Sequence, residues 1–372
     1  MLVAVDARQV YRANRRGIGK ALRLMLRHLA AARPGWCFRL IHQTDAPDEP
    51  FPDRPANLVT RKVDIPGDRF GLWERLRLPL AAWGADVLYC PANTGPRRPL
   101  RPMVLTVYDL IPLELAPDDP ASRAWARRVG RAAQAARRVH TASEYTAGQL
   151  TARLGVPAGK IEVIPIAADP RFTPVADAPS LDAVRAKYGV PPGRPFVLGF
   201  GAADPRKNSR RVLEAWARLT PAVRDRFFLL LVGVQDSALP ALGRAATGLL
   251  PGGGWHLHGY ADEADLPALL SAAELLCYPS LAEGFGLPVL EAFGCGTPVL
   301  TSNTTSLPEV AGDAAVLVEP TDTAAIARGL ETVLTDDRQR AELAARGRER
   351  AAAFTWSAVA ERMADLFAGV RA

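Results

Sequence analysis

Glu283-Gly-Phe-Gly-Leu-Pro-Val-Leu-Glu291 follows the short apolar run Leu275–Tyr278. An apolar run, two glycines and a proline-started helical pattern read in order as strand, tight loop and helix. Proline suits the first helical position, where its missing N–H costs nothing. Glycines let backbone amides come close to a ligand. The start of a helix carries a partial positive charge, so this corner is an anion site. Glu291 is expected in the first helical turn, and with Glu283 it flanks the amide-rich loop. Either glutamate alone is equally explained as an acid at a helix entry. Two of them around Gly-Phe-Gly favour a site.

The same strand-then-helix grammar extends in both directions. Strands are expected at Phe196–Gly201, Phe227–Gly233, Val299–Ser302 and Ala315–Val318 around this unit. In the first half they are expected at Leu2–Asp6, Phe38–His42, Val87–Cys90, Val104–Tyr108, Val139–Ala142 and Ile161–Ile164. Ile18, Leu22, Met25 and Leu29 recur at helical spacing, and helical patterns near 209–219, 265–273, 288–295, 323–334 and 337–353 fill the second half. Alternation of this kind predicts an α/β chain with parallel sheets covered by helices on both faces. The proline-containing stretch Ala168–Ser180 is read as the linker. Two doubly wound, Rossmann-like domains facing a central cleft follow, over residues 1–172 and 173–355, with a final helix over 356–372. Ligand sites in such sheets lie at the carboxyl ends of the strands.

Composition excludes other classes. A chain of 372 residues that is 48% hydrophobic and 23% charged is an ordinary globular protein, long enough for two cores. No run reaches the roughly 18 apolar residues of a membrane helix, and Leu-Val-Ala-Val-Asp directly after Met1 reads as a strand, not a secretory signal. Cys37, Cys90, Cys277 and Cys295 are far apart and in apolar settings, a usage that reads as reduced, buried and cytoplasmic. The net charge of +7 is uneven: residues 1–175 hold 27 basic and 16 acidic side chains. That half either faces phosphates or an anionic surface, or reflects a habit of arginine usage. A nucleic-acid partner is not expected, because no helix-turn-helix, zinc or aromatic-rich signature accompanies the charge. His256-Leu-His258 reads as strand residues, since no carboxylate or cysteine partner for a metal is near.

Three further places carry chemistry. Pro205-Arg-Lys-Asn208 puts two cations just after a strand, where phosphate oxygens bind, although Arg210 and Arg211 show that basic residues are common there. Arg15-Arg-Gly-Ile-Gly-Lys20 opens the first helix; Asn14 and Ala21 exclude a P-loop. Thr106-Val-Tyr-Asp-Leu-Ile-Pro112 ends a first-domain strand.

Ser280 through Val299 resembles the E-x(7)-E signature of the family 4 retaining glycosyltransferases of GT-B fold. Ser302-Asn-Thr-Thr-Ser-Leu-Pro-Glu-Val-Ala-Gly-Asp-Ala-Ala315, Pro205–Asn208, Ser143-Glu144 and Phe354-Thr-Trp356 extend the likeness over nearly the whole chain. The resemblance implies that Glu283 lies against the donor sugar and Glu291 binds ribose hydroxyls. It places Gly284, Phe285, Gly286 and Leu287 at the diphosphate and sugar, and Lys207 at the leaving diphosphate. Where many members carry an arginine this chain has Ala202, so Arg206 supplies that charge. Gly17 and Gly19 would face the donor phosphate. Members have His-Asp or His-Glu beside the reacting sugar where this chain has Tyr108-Asp109. Tyrosine, with a pKa near 10, is a poor base at neutral pH: either Tyr108 makes contact without moving a proton, or acceptor handling differs.

The implied reaction is sugar transfer, with retention, from a nucleotide-diphosphate donor to a saccharide or lipid-linked saccharide acceptor in bacterial exopolysaccharide or lipopolysaccharide synthesis. GDP-mannose is the favoured co-substrate and UDP-sugars the alternative; no metal or other cofactor is expected, and no Asp-x-Asp motif stands out. A transferase-like fold kept as a non-catalytic partner is the rival, against which Glu283, Glu291 and Lys207 speak. Arg69–Pro79, with Phe70, Leu72, Trp73 and Leu76, and the arginine-rich Arg123–Arg138 with Trp125 predict a basic, partly apolar face. That face is expected to dock reversibly on the cytoplasmic face of an anionic membrane, unless those apolar residues pack into the core.

Overall fold

Residues 1–12, 17–43, 50–63, 70–201 and 204–371 are described by a computed structural model. The chain folds as two units, Met1–Ala167 with Phe354–Ala372, and Ala168–Ala353. The first holds β1 (Leu2–Asp6), α1 (Gly17–Ala32), β2 (Cys37–His42), β3 (Leu58–Lys62), α2 (Phe70–Leu72), a π-helical turn (Trp73–Arg77), α3 (Leu78–Ala81), β4 (Val87–Cys90) and β5 (Met103–Thr106). It continues with α4 (Ile111–Leu115), α5 (Pro120–Ala135), β6 (Arg138–Thr141), α6 (Glu144–Leu154) and β7 (Ile161–Val163). Its seven strands are all parallel in the order β3-β2-β1-β4-β5-β6-β7. Every residue of β4 and β5 is buried, the signature of a parallel sheet covered on both faces.

The second unit comprises α7 (Ala178–Lys187), β8 (Phe196–Phe200), α8 (Ser209–Ala217), α9 (Pro221–Arg226), β9 (Phe228–Val232), α10 (Leu239–Leu249), β10 (Trp255–Leu257) and α11 (Leu266–Ala272). Then follow β11 (Leu275–Tyr278), α12 (Leu287–Gly294), β12 (Val299–Ser302), α13 (Leu307–Ala311), β13 (Val316–Val318), α14 (Thr323–Thr335) and α15 (Asp337–Ala352). Its parallel order is β10-β9-β8-β11-β12-β13. In each sheet the order reverses once, between β1 and β4 and between β8 and β11. Loops leaving the carboxyl ends of such a pair diverge and open a crevice for a ligand.

The last helix, α16 (Trp356–Arg371), returns to the first unit and packs on α1. Buried Phe367 meets Tyr89 at 5.1 Å between ring centroids, and Arg33 pairs with Glu361 at 2.6 Å. The unit boundaries fall at Ala167 and Phe354, not at residues 172 and 355. The stretch read as a linker is packed on the second unit: the Val175 N–H donates to Ser271 Oγ at 3.0 Å, and Phe172 is buried. β3 went unpredicted because it is an edge strand: only Leu58 is buried, and Thr60, Arg61 and Lys62 are exposed. Charged edges of this kind are how sheets avoid pairing with other chains. Cys37 is half-buried, whereas the other three cysteines are buried.

Candidate active site

The loops that leave β8 and β11 bring the strongest predicted residues together. After β8, the Asp204 carboxylate accepts from the Arg206 N–H at 3.0 Å and starts a 3₁₀ turn over Pro205–Lys207. Asn208 follows in the left-handed conformation, and its side-chain amide donates to the carbonyls of Pro279 and Pro320. The Leu281 N–H donates to the Arg206 carbonyl at 2.7 Å. The two loops are thereby stapled, and both cations are held against the second one.

Glu283 is the hub. Its Oε1 accepts from Tyr278 OH at 2.5 Å, Lys207 Nζ at 2.8 Å and Ser280 Oγ at 2.8 Å; its Oε2 accepts from Arg206 Nη1 at 2.9 Å. Lys207 also donates to the Tyr278 hydroxyl and lies 4.7 Å from the centre of that ring. Glu283 is only 8% exposed. Burial pushes its carboxyl up, but Lys207, Arg206 and the tyrosine hydrogen bond outweigh this and hold it below the usual carboxylate range. Burial opposes the Arg206 charge as well, and Glu283 and Asp204 overcome it, raising that guanidinium above its ordinary value. Burial and the neighbouring Glu283 push the Tyr278 phenol well up, so it stays a donor. An ammonium has three donors and a guanidinium five, so both cations keep hydrogens for a further anion after meeting Glu283.

The hydroxyls of Thr305 and Ser306 set the loop that follows. Ser306 Oγ lies 2.8 Å from the Glu283 carbonyl and 2.9 Å from that of Phe285, and Thr305 Oγ1 accepts from the Glu283 N–H at 3.3 Å. In a trans peptide the next N–H points opposite to the carbonyl. Ser306 therefore turns the N–H groups of Gly284 and Gly286 away from itself. Gly286 has φ 113°, and a Cβ there would sit 2.8 Å from Leu307, so only glycine fits. α12 begins directly after it with Leu287, and Pro288 lies in its first turn. Glu291 is the fifth residue of α12, in its second turn, not the first as expected, because the helix starts one residue earlier. It is half-buried and near enough to contribute to the upward shift of Tyr278.

Tyr278, Ser280, Asn208 and Ser306 had no assigned role from sequence. The one available signal was a tyrosine closing an otherwise apolar strand.

The remaining predicted residues lie in the first unit. Tyr108 and Asp109 follow β5. The Tyr108 N–H donates to Asn93 Oδ1 at 2.9 Å, its carbonyl accepts from Thr146 Oγ1 at 3.3 Å, and burial pushes its phenol up. It stays protonated at neutral pH and cannot serve as a base there. Asp109 accepts from the Ile111 N–H at 3.2 Å at the start of α4. Gly17 is exposed and Gly19 buried in the first turn of α1. Arg15, Arg16 and Ala202 lie outside the described residues. Beneath Tyr108, Tyr89 OH, Thr106 Oγ1 and His140 Nδ1 form a chain with steps of 2.8 and 2.9 Å, and His140 Nε2 lies 2.9 Å from the Ile164 carbonyl. His256 packs on Gly189, and His258 meets Tyr188 at 4.7 Å. Among the described residues no group of three or more His, Cys, Asp or Glu is placed to hold a metal ion.

Residues 15–172 match the family described as Glycosyltransferase Family 4, and residues 181–350 match Glycosyl transferases group 1. A 2-deoxystreptamine glucosyltransferase of Streptomyces kanamyceticus is 31% identical over 285 residues, covering 76% of this chain and 69% of that protein. The chain is a family 4 glycosyltransferase. Another relative of the glycosyltransferase, the O-antigen chain mannosyltransferase B of Escherichia coli, is 36% identical over 225 residues, 59% of this chain and 58% of that one. The match thus spans little more than half of that relative. The sucrose-phosphate synthase of Thermosynechococcus elongatus superimposes with a TM-score of 0.78 at 23% identity, covering 100% of this chain and 99% of that one. The glycosyltransferase therefore has the GT-B fold, built from two Rossmann-like units.

Proposed function

We propose that this glycosyltransferase moves a sugar, with retention of configuration and without a metal ion, from a nucleotide-diphosphate donor to a saccharide. The favoured donor is GDP-mannose. The favoured acceptor is a lipid-linked saccharide of bacterial exopolysaccharide or lipopolysaccharide synthesis, met at the cytoplasmic face of the membrane. One observation carries the reading: Arg206, Lys207 and Glu283 converge at the sheet's reversal point beside the start of α12. Expelling a nucleoside diphosphate concentrates negative charge, and donors fixed before the reaction stabilise it best. The spare hydrogens of Lys207 and Arg206, with the amides that open α12, supply such donors. The bond from the anomeric carbon to the diphosphate breaks and the bond to the acceptor oxygen forms on the same face. The acceptor proton passes to the departing phosphate, so no enzyme base is required. Tyr108, held protonated, contributes contact by donating a hydrogen bond. The favoured sugar and pathway draw on the relative named as an O-antigen chain mannosyltransferase.

A panel of GDP-mannose, UDP-glucose and other nucleotide sugars, read by nucleoside diphosphate release with and without EDTA, tests this. UDP-glucose belongs in it because a relative is named a glucosyltransferase. Release from GDP-mannose, unaffected by EDTA, is expected. Turnover of UDP-glucose alone would overturn the donor, and loss in EDTA restored by magnesium or manganese would overturn the metal-free chemistry.

A further inference from the structure

We propose that Thr305 is a positioning residue for Glu283, and that its left-handed backbone is strain kept for sugar transfer. The proposal rests on the transferase reading above, in which Glu283 faces the donor sugar. Among the described residues three positions other than glycine have a positive φ: Asn93 and Asn208 at 61°, and Thr305 at 58°. Asparagine tolerates this region well, because its short amide bonds locally. Both asparagines serve places already described: Asn93 Oδ1 accepts from the Tyr108 N–H, and Asn208 staples two loops. A β-branched residue there is a true outlier, since the second branch on Cβ crowds the backbone. Such outliers persist only where their surroundings over-determine them, and they gather at active sites.

The surroundings explain what the turn achieves. The loop after β11 lies against a row of hydroxyls carried by the end of β12 and the residues that follow it. Thr301 Oγ1 donates to the Tyr278 carbonyl at 2.8 Å, and Ser302 Oγ donates to the Ser280 carbonyl at 2.6 Å. Thr305 and Ser306 continue the row on Glu283 itself: the first accepts from its N–H and the second donates to its carbonyl. In extended backbone adjacent side chains point to opposite faces, so two neighbours hold one residue only if the chain turns at them. The left-handed Thr305 makes that turn, and α13 starts two residues later at Leu307. Leu307 in turn lies over Gly286, where it leaves no room for a Cβ.

Holding both peptide groups of Glu283 fixes its φ and ψ, and with them the direction in which the side chain leaves the backbone. Four donors hold the carboxylate end, so the backbone end must be held as closely for the charge to stay in one place. A displacement of about 1 Å can slow a reaction about a hundredfold. The two neighbours differ in what they govern. Ser306 also bonds the Phe285 carbonyl and so aims the amides that open α12, whereas the Thr305 hydroxyl acts on the Glu283 peptide. Loss of the Thr305 contact should therefore appear in kcat, with nucleotide affinity kept.

Three variants separate strain from contact. Thr305→Gly removes both, Thr305→Val removes the hydroxyl but keeps the β-branch, and Thr305→Ser keeps the hydroxyl. Thr305→Gly should melt no lower than the wild type, because release from the left-handed penalty offsets the freedom that glycine adds to the unfolded chain. Its kcat should nevertheless fall about tenfold or more, as should that of Thr305→Val, while calorimetric affinity for GDP and UDP stays unchanged. Thr305→Ser should restore most of the turnover. A residue that only held the fold would lower the melting temperature and the activity together. Hydrogen exchange at the Glu283 amide, followed by mass spectrometry, needs no donor: it should quicken in Thr305→Gly and Thr305→Val and stay slow in Thr305→Ser. Unchanged exchange, wild-type turnover in Thr305→Gly or Thr305→Val, weakened diphosphate binding, no rescue by Thr305→Ser, or a Thr305→Gly protein that melts well below the wild type would overturn the proposal. Absence of diphosphate release from the wild type with every donor would instead overturn the transferase reading, and exchange and melting would still decide whether Thr305 holds Glu283 under strain.

Discussion

Glu283→Gln tests the hub with the least change of shape. Glutamine keeps one acceptor oxygen, and three of the four donors converge on Oε1, so that oxygen stays with Tyr278, Lys207 and Ser280. The new NH₂ then faces the Arg206 guanidinium, donor against donor, where a 2.9 Å ion pair stood. One charge-assisted bond is lost and a second, to Lys207, becomes a bond to a neutral oxygen. Bonds to charged groups contribute about 1.5–3 kcal/mol each. Arg206 keeps Asp204 and both cations keep some water, so the net destabilisation is about 3 kcal/mol. For a unit of this size that lowers the Tm by about 6–12 °C. Removing the competing anion leaves Lys207 and Arg206 more available, so the affinity for free nucleoside diphosphate should hold or rise while turnover falls at least about a hundredfold. Calorimetric titration of GDP and UDP, a thermal melt and a turnover assay measure the three quantities. Near-wild-type turnover, or loss of diphosphate binding at an unchanged melting temperature, would refute the assignment of Glu283 to the sugar rather than the nucleotide.

Lys207→Ala removes a cation that meets charge both in the bound donor and as the bond breaks, so kcat/KM should fall about tenfold or more; an unchanged value would contradict it. Ser306→Ala leaves two loop carbonyls without their shared donor, a cost of about 1–3 kcal/mol, and should raise the donor KM about tenfold with a smaller change in kcat. Steady-state kinetics decide this, and an unchanged KM would return Ser306 to a purely structural role. His140 has its pKa lowered to about 4 by burial. With an unfolded value near 6.5, the unfolded state takes up the proton first, so stability falls by about 1.4 kcal/mol for each unit as the pH drops from 6.5 towards 4. Its Nε2 faces a carbonyl, which only accepts, so the proton sits there and Nδ1 accepts from Thr106. Nitrogen chemical shifts should show that neutral tautomer at pH 5; a doubly protonated ring at pH 6 would refute it.

Much of the fold was legible because buried parallel strands are short and largely apolar, as in Leu275–Tyr278 and Phe228–Val232. The edge strand β3 was not, since its outer residues follow solubility rather than burial. In the site, glycines and a helix-starting proline announced the loop over 283–288, and adjacent cations announced Arg206 and Lys207. What stayed hidden were the groups that act through space: Tyr278 and Ser280 on the carboxylate, Asn208 between two loops, and Ser306 under the peptide planes. Serine and asparagine are common everywhere, and only folded distances distinguish these from any others. The segment Leu72–Leu80 shows the same limit, because its pattern alone could not say which apolar side chains the π-turn would bury.

The return of α16 to the first unit fixes an order of assembly during synthesis. All elements of the second unit are contiguous in sequence, whereas α1 and Tyr89 wait for partners on residues 356–371. At about 5–20 residues per second, α16 emerges roughly 10–40 s after Ala167. Throughout that interval the nascent first unit shows the ribosome's surroundings the face that α16 later covers. The segment that begins folding last is thus free to finish first, and the amino-terminal unit closes only after translation has passed the whole of its neighbour.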